Sequence, residues 1–306
     1  MKLVTYRAAS GDSTIGFVVD DRVYHLGQAA AARHLDLPDT MVALLEAGPE
    51  AMASATEIAR QPPEAADSIP LASVTLLAPI PRPPKLLALA GNYMKHVVEG
   101  RGAEFEKRNS NPRPFMIPSS SVIGSGEDIL IPSKVSNAVD YEMELAVVIG
   151  ASAREVSVDD APNVIAGYTV FNDVSARRLL IAENREQRQG DKFFDWLLGK
   201  WPDTFAPMGP HLVTADEVGD PQRLAMKLRV NGELRQDACT DQMIWNCYEV
   251  VAFISEYVTL EPGDVIATGT AAGVGGPKGI FLQAGDLVEA EIEGLGRLVN
   301  RVAERL

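Results

Sequence analysis

Cysteine, positive charge and long apolar runs are all scarce in this chain of 306 residues. The two cysteines, Cys239 and Cys247, are too few for a disulfide framework or a thiolate metal site, and both are expected to be free buried thiols in a helical region. Lys and Arg number 28 against 42 Asp and Glu, a formal net charge of −14. That balance argues against nucleic acid as a partner, because such binding depends on clustered Lys and Arg. A small anionic substrate stays open, provided that a local metal or lysine reverses the field. No apolar run reaches the length of a bilayer span, so no membrane partner is expected. The start, Met1-Lys2-Leu3-Val4-Thr5-Tyr6, leads into strand-like sequence with no hydrophobic targeting segment, and a cytoplasmic location is the expectation. Nucleotide motifs are absent too. The run Gly273-Val274-Gly275-Gly276 lacks both the Lys-Ser/Thr of a P-loop and the spacing of a dinucleotide fingerprint. There is no internal repeat.

With 46% hydrophobic and 23% charged residues, the composition is that of an ordinary globular protein. Residues 1–77 read as a small α/β module. It has strands at 3–6 and 15–19, a turn at Asp20-Asp21, and helices at 40–47 and 50–60. Four prolines within 78–85 fix φ and remove donors, which marks a stiff linker and the domain boundary. Residues 86–306 form the larger unit. Asn92 is expected to cap a helix carrying His96 and Glu99, and the charged, turn-rich stretch 100–114 reads as a mobile loop. A helix is expected after Asp173, holding Arg177, Leu180 and Ile181. Another is expected over 243–258, where apolar residues recur at helical spacing. Strands are expected at 86–90, 129–132, 164–171, 224–230, 265–268, 287–292 and 298–302. Strands dominate without βαβ alternation, so the fold class is α+β and a Rossmann-like sheet is excluded.

The chemistry concentrates in Asp140-Tyr141-Glu142-Met143-Glu144. Glu142 and Glu144, two apart on a strand, project from one face, and the apolar run 145–149 that follows implies burial. Two like charges beside a core need neutralising. A divalent cation would do so, with Asp173 as a third oxygen donor. Carboxylates without His or Cys suit a hard ion, Mg²⁺ first, with Mn²⁺ or Ca²⁺ also suitable. An edge strand with solvated glutamates would show the same spacing. His96 and Glu99, three apart on a helix, are neighbours, as a base activating water requires, although an exposed ion pair has the same pattern. Lys200, between apolar and turn residues, suits stabilisation of an oxyanion. Thr268-Gly269-Thr270 offers hydroxyls and amides to a carboxylate.

Six ordered blocks then carry a resemblance. They are Asn92-Tyr93 with His96 and Glu99, the Asp140–Leu145 block, Phe171-Asn172-Asp173-Val174-Ser175-Ala176-Arg177, Gly199-Lys200 with 203–210, the 260–266 block, and Thr268-Gly269-Thr270 with 273–275. Together they resemble the fumarylacetoacetate hydrolase family. The resemblance implies a mixed β-roll with a small N-terminal α/β module, usually as a homodimer. It implies a metal on Glu142, Glu144 and Asp173, catalysis by His96, Glu99 and Lys200, and substrate contacts from Tyr93, Arg177 and Thr270. Family substrates are 2-oxo and diketo acids. The leading expectation is therefore metal-dependent hydrolysis of a C–C bond in an acylpyruvate or 2,4-diketo acid, giving pyruvate and a second acid. The alternatives are an oxaloacetate-type decarboxylase, an isomerase or hydratase of unsaturated oxo acids, and a catalytically silent ligand-binding relative. Three blocks depart from the family pattern. Ile117 replaces a common Lys, Arg178 and Leu180 replace a common Asp and Gln, and Ala271 replaces a common Pro. Loss of the Lys and Gln leads to the expectation of an apolar acyl tail on the substrate instead of a second carboxylate.

Overall fold

The computed structural model describes residues 1–7, 11–62, 68–101 and 103–305. Strand Met143–Ile149 lies deep in a 12-stranded mixed sheet. Its neighbours, both antiparallel, are Ile165–Asn172 and Val265–Ala267. Val265–Ala267 continues the sheet to Leu86–Leu89 by a parallel pairing. On the other side Ile165–Asn172 pairs with Ala206–Thr214, which in turn pairs with the N-terminal strand Lys2–Arg7. A separate five-stranded sheet runs in the order Glu233–Cys239, Ala225–Val230, Leu287–Ile292, Gly296–Glu304, Ile129–Ile131. Strands outweigh helices, and the architecture is α+β.

All seven residues of Met143–Ile149 are buried, because both faces of the strand are covered. Met143, Leu145, Val147 and Ile149 enter the core that Met226, Leu228 and Val288 of the second sheet help to build. Ala146 and Val148 point the other way, into a core shared with Leu3, Phe17 and Leu26. By the two-residue period of a strand, Glu144 and Glu142 continue this second face. The acidic pair thus sits at the end of the face that the N-terminal segment completes. The 78–85 segment is packed as well as extended: Ala78 and Ile80 are buried, and the Thr5 hydroxyl donates to the Pro79 carbonyl at 2.7 Å. Among the described residues no helix is long and apolar enough to cross a membrane.

Several local expectations are corrected. No helix follows Asp173; the chain forms the short strand Ser175–Ala176 and a 3-10 turn at Leu180–Asn184. The amides of Ala176, Arg177 and Leu180 donate to the carbonyls of Gly199, Ala138 and Val135, so tertiary partners replace helical ones. The helix expected from 243 begins at Cys247, where Asn246 and Glu249 form a capping box. Cys239 ends a strand; both thiols are free, with Cys247 buried and Cys239 only partly so. Asn92 does not cap the helix Met94–Arg101. Its buried amide donates to the carbonyls of Trp245 and Thr268 and accepts from Trp245 N–H. The 100–114 stretch is tethered within its described residues, by Phe105 stacked on Trp245 and by Lys107 on Glu249.

Candidate active site and metal centre

Glu142, Glu144 and Asp173 converge, with one oxygen of each within 4.8 Å of the others, and all three are buried. The sheet register explains this. Glu144 faces Phe171 across the ladder, so Asp173, two residues beyond Phe171, returns to the same face beside the glutamates. The pairing extends past the strand ends: Asp173 N–H donates to the Glu142 carbonyl at 2.8 Å, and Glu142 N–H to Asn172 Oδ1 at 2.9 Å.

Two cations enter the cluster. Lys200, 2% exposed, places Nζ 2.9 Å from Glu142 Oε2 and 2.5 Å from Asp173 Oδ2. Arg177 spans Asp140 at 2.8 Å and Glu142 at 2.5 Å. The Asp140, Glu142, Glu144 and Asp173 carboxylates, all buried, therefore outnumber Arg177 and Lys200 by two, the charge of one divalent cation. Glu144 Oε1 and Asp173 Oδ1 are buried and carry no hydrogen bond, a state that costs free energy unless a partner is supplied. Hard oxygen donors, two of them unsatisfied, fit a hard divalent ion.

The electrostatics agree. Burial would raise the Glu142 carboxyl, but Arg177 and Lys200 outweigh it and hold it at about 2. Asp173 is raised by burial to about 6, opposed by Lys200 and reinforced by Glu142. Burial, then the charges of Asp173 and Glu142, push the Glu144 carboxyl well above its ordinary value. Burial alone would lower the Lys200 ammonium, yet Asp173 and Glu142 hold it up and charged. Glu144 and Asp173 are thus the two carboxyls whose ionised form a nearby cation would most favour.

His96 and Glu99 lie on helix Met94–Arg101. The imidazole Nδ1 is 3.7 Å from Glu99 Oε2, beyond hydrogen-bond reach, and has no other partner. Glu99 accepts instead from Gly273 N–H at 3.0 and 3.3 Å. Burial lowers the His96 pKa, which keeps the ring neutral near pH 7. The glycine run serves these carboxylates: besides Gly273 on Glu99, the amides of Gly275 and Gly276 donate to Asp140 at 2.8 and 2.7 Å. Asp140 is the site residue that sequence reading passed over. Its signal was a third carboxylate two residues ahead of Glu142, in step with Glu142 and Glu144.

The hydroxyls of Tyr93 and Thr270 both meet partners within the protein. The Tyr93 ring lies in the main core with its hydroxyl 3.4 Å from Met226 Sδ. Thr270 donates to the Met143 carbonyl and accepts from Gln236. The carboxylate served by the Thr-Gly-Thr turn is Glu144, which accepts from Gly269 N–H at 2.7 Å. Arg177 braces Asp140 and Glu142. Ile117, 2% exposed, packs into the core that the N-terminal segment completes.

A mixed-sheet α+β fold with a carboxylate trio at a strand end defines the class. The family model for the fumarylacetoacetate (FAA) hydrolase C-terminal domain matches residues 85–303, and the chain belongs to this family. It is 41% identical over 269 residues to the oxaloacetate tautomerase Fahd2a, mitochondrial, of Rattus norvegicus, covering 87% of this chain and 80% of that one. The fumarylacetoacetate hydrolase from psychrophilic Exiguobacterium antarcticum superposes with a TM-score of 0.79 at 31% identity, over the whole of both chains. Maleylpyruvate hydrolase from Sphingobium sp. SYK-6, in complex with manganese(II) and pyruvate, gives 0.76 at 29%, again over both whole chains.

Proposed function

We propose that this protein is a divalent-metal-dependent enzyme that interconverts the keto and enol forms of an oxaloacetate-class 2-oxo acid. The observation that carries the reading is the buried trio Glu142, Glu144 and Asp173 with two unpartnered oxygens. A cation held there, Mg²⁺ or Mn²⁺, would polarise the 2-oxo group as a Lewis acid. Lys200, kept charged inside the cluster, adds positive charge where a substrate oxygen becomes negative. His96, kept neutral by burial, takes a proton from the carbon beside the 2-oxo group and delivers it to the 2-oxo oxygen to give the enol, and the reverse transfer restores the keto form. Glu99, fixed by Gly273 N–H, faces the imidazole and favours its protonated form in passing. Arg177 holds Glu142 and Asp140 in place. Similarity to oxaloacetate tautomerases at 41% identity supports the substrate class, and the manganese and pyruvate of the maleylpyruvate hydrolase complex support a 2-oxo acid with a metal.

Hydrolysis of an acylpyruvate is the second reading, favoured by the adjacency of His96 and Glu99, the groups that a water-activating base would need. One experiment separates the two. Metal-stripped enzyme is reloaded with Mg²⁺ or Mn²⁺, enol decay of oxaloacetate is followed by its ultraviolet absorbance, and pyruvate release from acylpyruvates is followed in parallel. Accelerated enol decay without pyruvate release is expected, with His96→Ala lowering kcat by about 100-fold. Pyruvate release from acylpyruvates without faster tautomerisation would replace the first reading by the second. Inactivity in both assays would remove both.

A further inference from the structure

The stretch 180–198, rich in Arg and Gln, walls a cavity of about 400 Å³ whose lining includes Arg177, Arg178, Glu183, Lys192, Trp196 and Lys200. Its inner end reaches the acidic cluster, because Arg177 and Lys200 are the two residues paired with Glu142. Trp196 forms part of that end, its ring centroid 5.9 Å from Lys200 Nζ, and Phe115 packs edge-on against it at 4.7 Å. The outer wall differs in charge from the rest of this acidic molecule. On helix Asp191–Leu198 both aspartates are already taken. Asp195 accepts from Arg185 at 2.7 and 2.6 Å, and Asp191 accepts from Arg188 N–H at 2.7 Å with Arg185 beside it. Lys192, on the same helix, has no carboxylate partner among the described residues. Nor has Arg178, whose guanidinium rests 5.5 Å from the Phe281 ring. Glu183 is the one acid lining the cavity in the same condition among the described residues. Two cations thus face the cavity with one anion to set against them, in a chain of net charge −14.

We propose that Arg178 and Lys192 receive the distal carboxylate of a 2-oxo dicarboxylate whose 2-oxo end lies at the acidic trio. This rests on the oxo-acid reading above and deepens it, by making the enzyme selective for diacids. It also replaces the expectation of a neutral acyl tail: Leu180 lacks a polar group, but Arg178, two positions earlier, brings a cation where the family commonly has Asp. A cavity of about 400 Å³ is in the usual range for sites that enclose small ligands, so diacids longer than oxaloacetate are admitted.

The test is calorimetric titration of the Mn²⁺-loaded protein with 2-oxoglutarate and with 2-oxopentanoate, which has the same chain length and a neutral end. Wild type, Arg178→Ala, Lys192→Ala and the double variant are compared. Wild type is expected to bind the diacid at least about tenfold more tightly, and the double variant to lose that preference while holding 2-oxopentanoate unchanged. Equal binding of the two acids by wild type, a preference that survives in the double variant, or binding of neither acid would overturn the proposal. The enol-decay assay on the same samples keeps the two failures apart. Normal turnover without a diacid preference sinks only this proposal. A clear preference without turnover sinks only the keto–enol activity proposed above.

Discussion

Asp173 shows how closely charge is balanced in this site. Its carboxylate touches Lys200 through Oδ2 and leaves Oδ1 buried without a partner. Changing Asp173→Asn keeps the shape, removes one negative charge and leaves Glu142 to hold Lys200. Manganese titration is expected to show at least a 100-fold weaker affinity, while the far-ultraviolet circular dichroism stays that of wild type; unchanged affinity would take Asp173 out of the metal centre. At this scale much was legible in the sequence. The i, i+2 spacing of Glu142 and Glu144 defines a shared face whatever the remainder of the fold does. Side-chain loyalties were not legible. Tyr93 and Thr270 have hydroxyls suited to a substrate, yet Met226, Met143 and Gln236 engage them first. Those partners lie far away in the sequence, so no local pattern announces them.

Strand Ala206–Thr214 is one element that local reading missed. Pro207, Gly209 and Pro210 break the usual strand signature, but all nine residues are buried between Ile165–Asn172 and Lys2–Arg7. Helix Asp191–Leu198 escaped for a related reason, since its short apolar stripe follows a polar stretch with no start signal except Gly190. The strand carries His211, which is 8% exposed; Nδ1 meets the Leu295 carbonyl at 3.3 Å and Nε2 has no partner. Burial, with a smaller contribution from Lys2, lowers its pKa below the ordinary 6.5. Below pH 6.5 the unfolded chain therefore binds a proton that the folded chain refuses. The stability contributed is full above that pH and falls as pH drops toward the folded value, by up to about 1.4 kcal/mol per pH unit. Urea unfolding midpoints of wild type and His211→Asn between pH 5.5 and 7.5 are the check. The variant should show the shallower decline, and parallel slopes would mean that His211 does not titrate differently on folding.

For the whole molecule, the proline-rich boundary at 78–85 divides the sequence more sharply than it divides the sheet. Hydrogen bonds cross it where Lys2 and Leu3 pair with Val213 and Leu212, and one core joins Leu3, Phe17 and Leu26 to Ala146, Val148 and Phe171. Composition reports where a chain is stiff; it does not report which buried faces lie against each other. Removing residues 1–77 should therefore leave a fragment that binds a hydrophobic dye, aggregates, and lacks a cooperative thermal transition. A fragment that is soluble and melts sharply would establish residues 78–306 as an independent unit. The same pairing sets a problem of timing during synthesis. Leu3 leaves the ribosome long before Leu212 exists, so the outer edge of the first strand must wait, open, for most of translation. Long waits of that kind slow folding and invite association with other nascent chains.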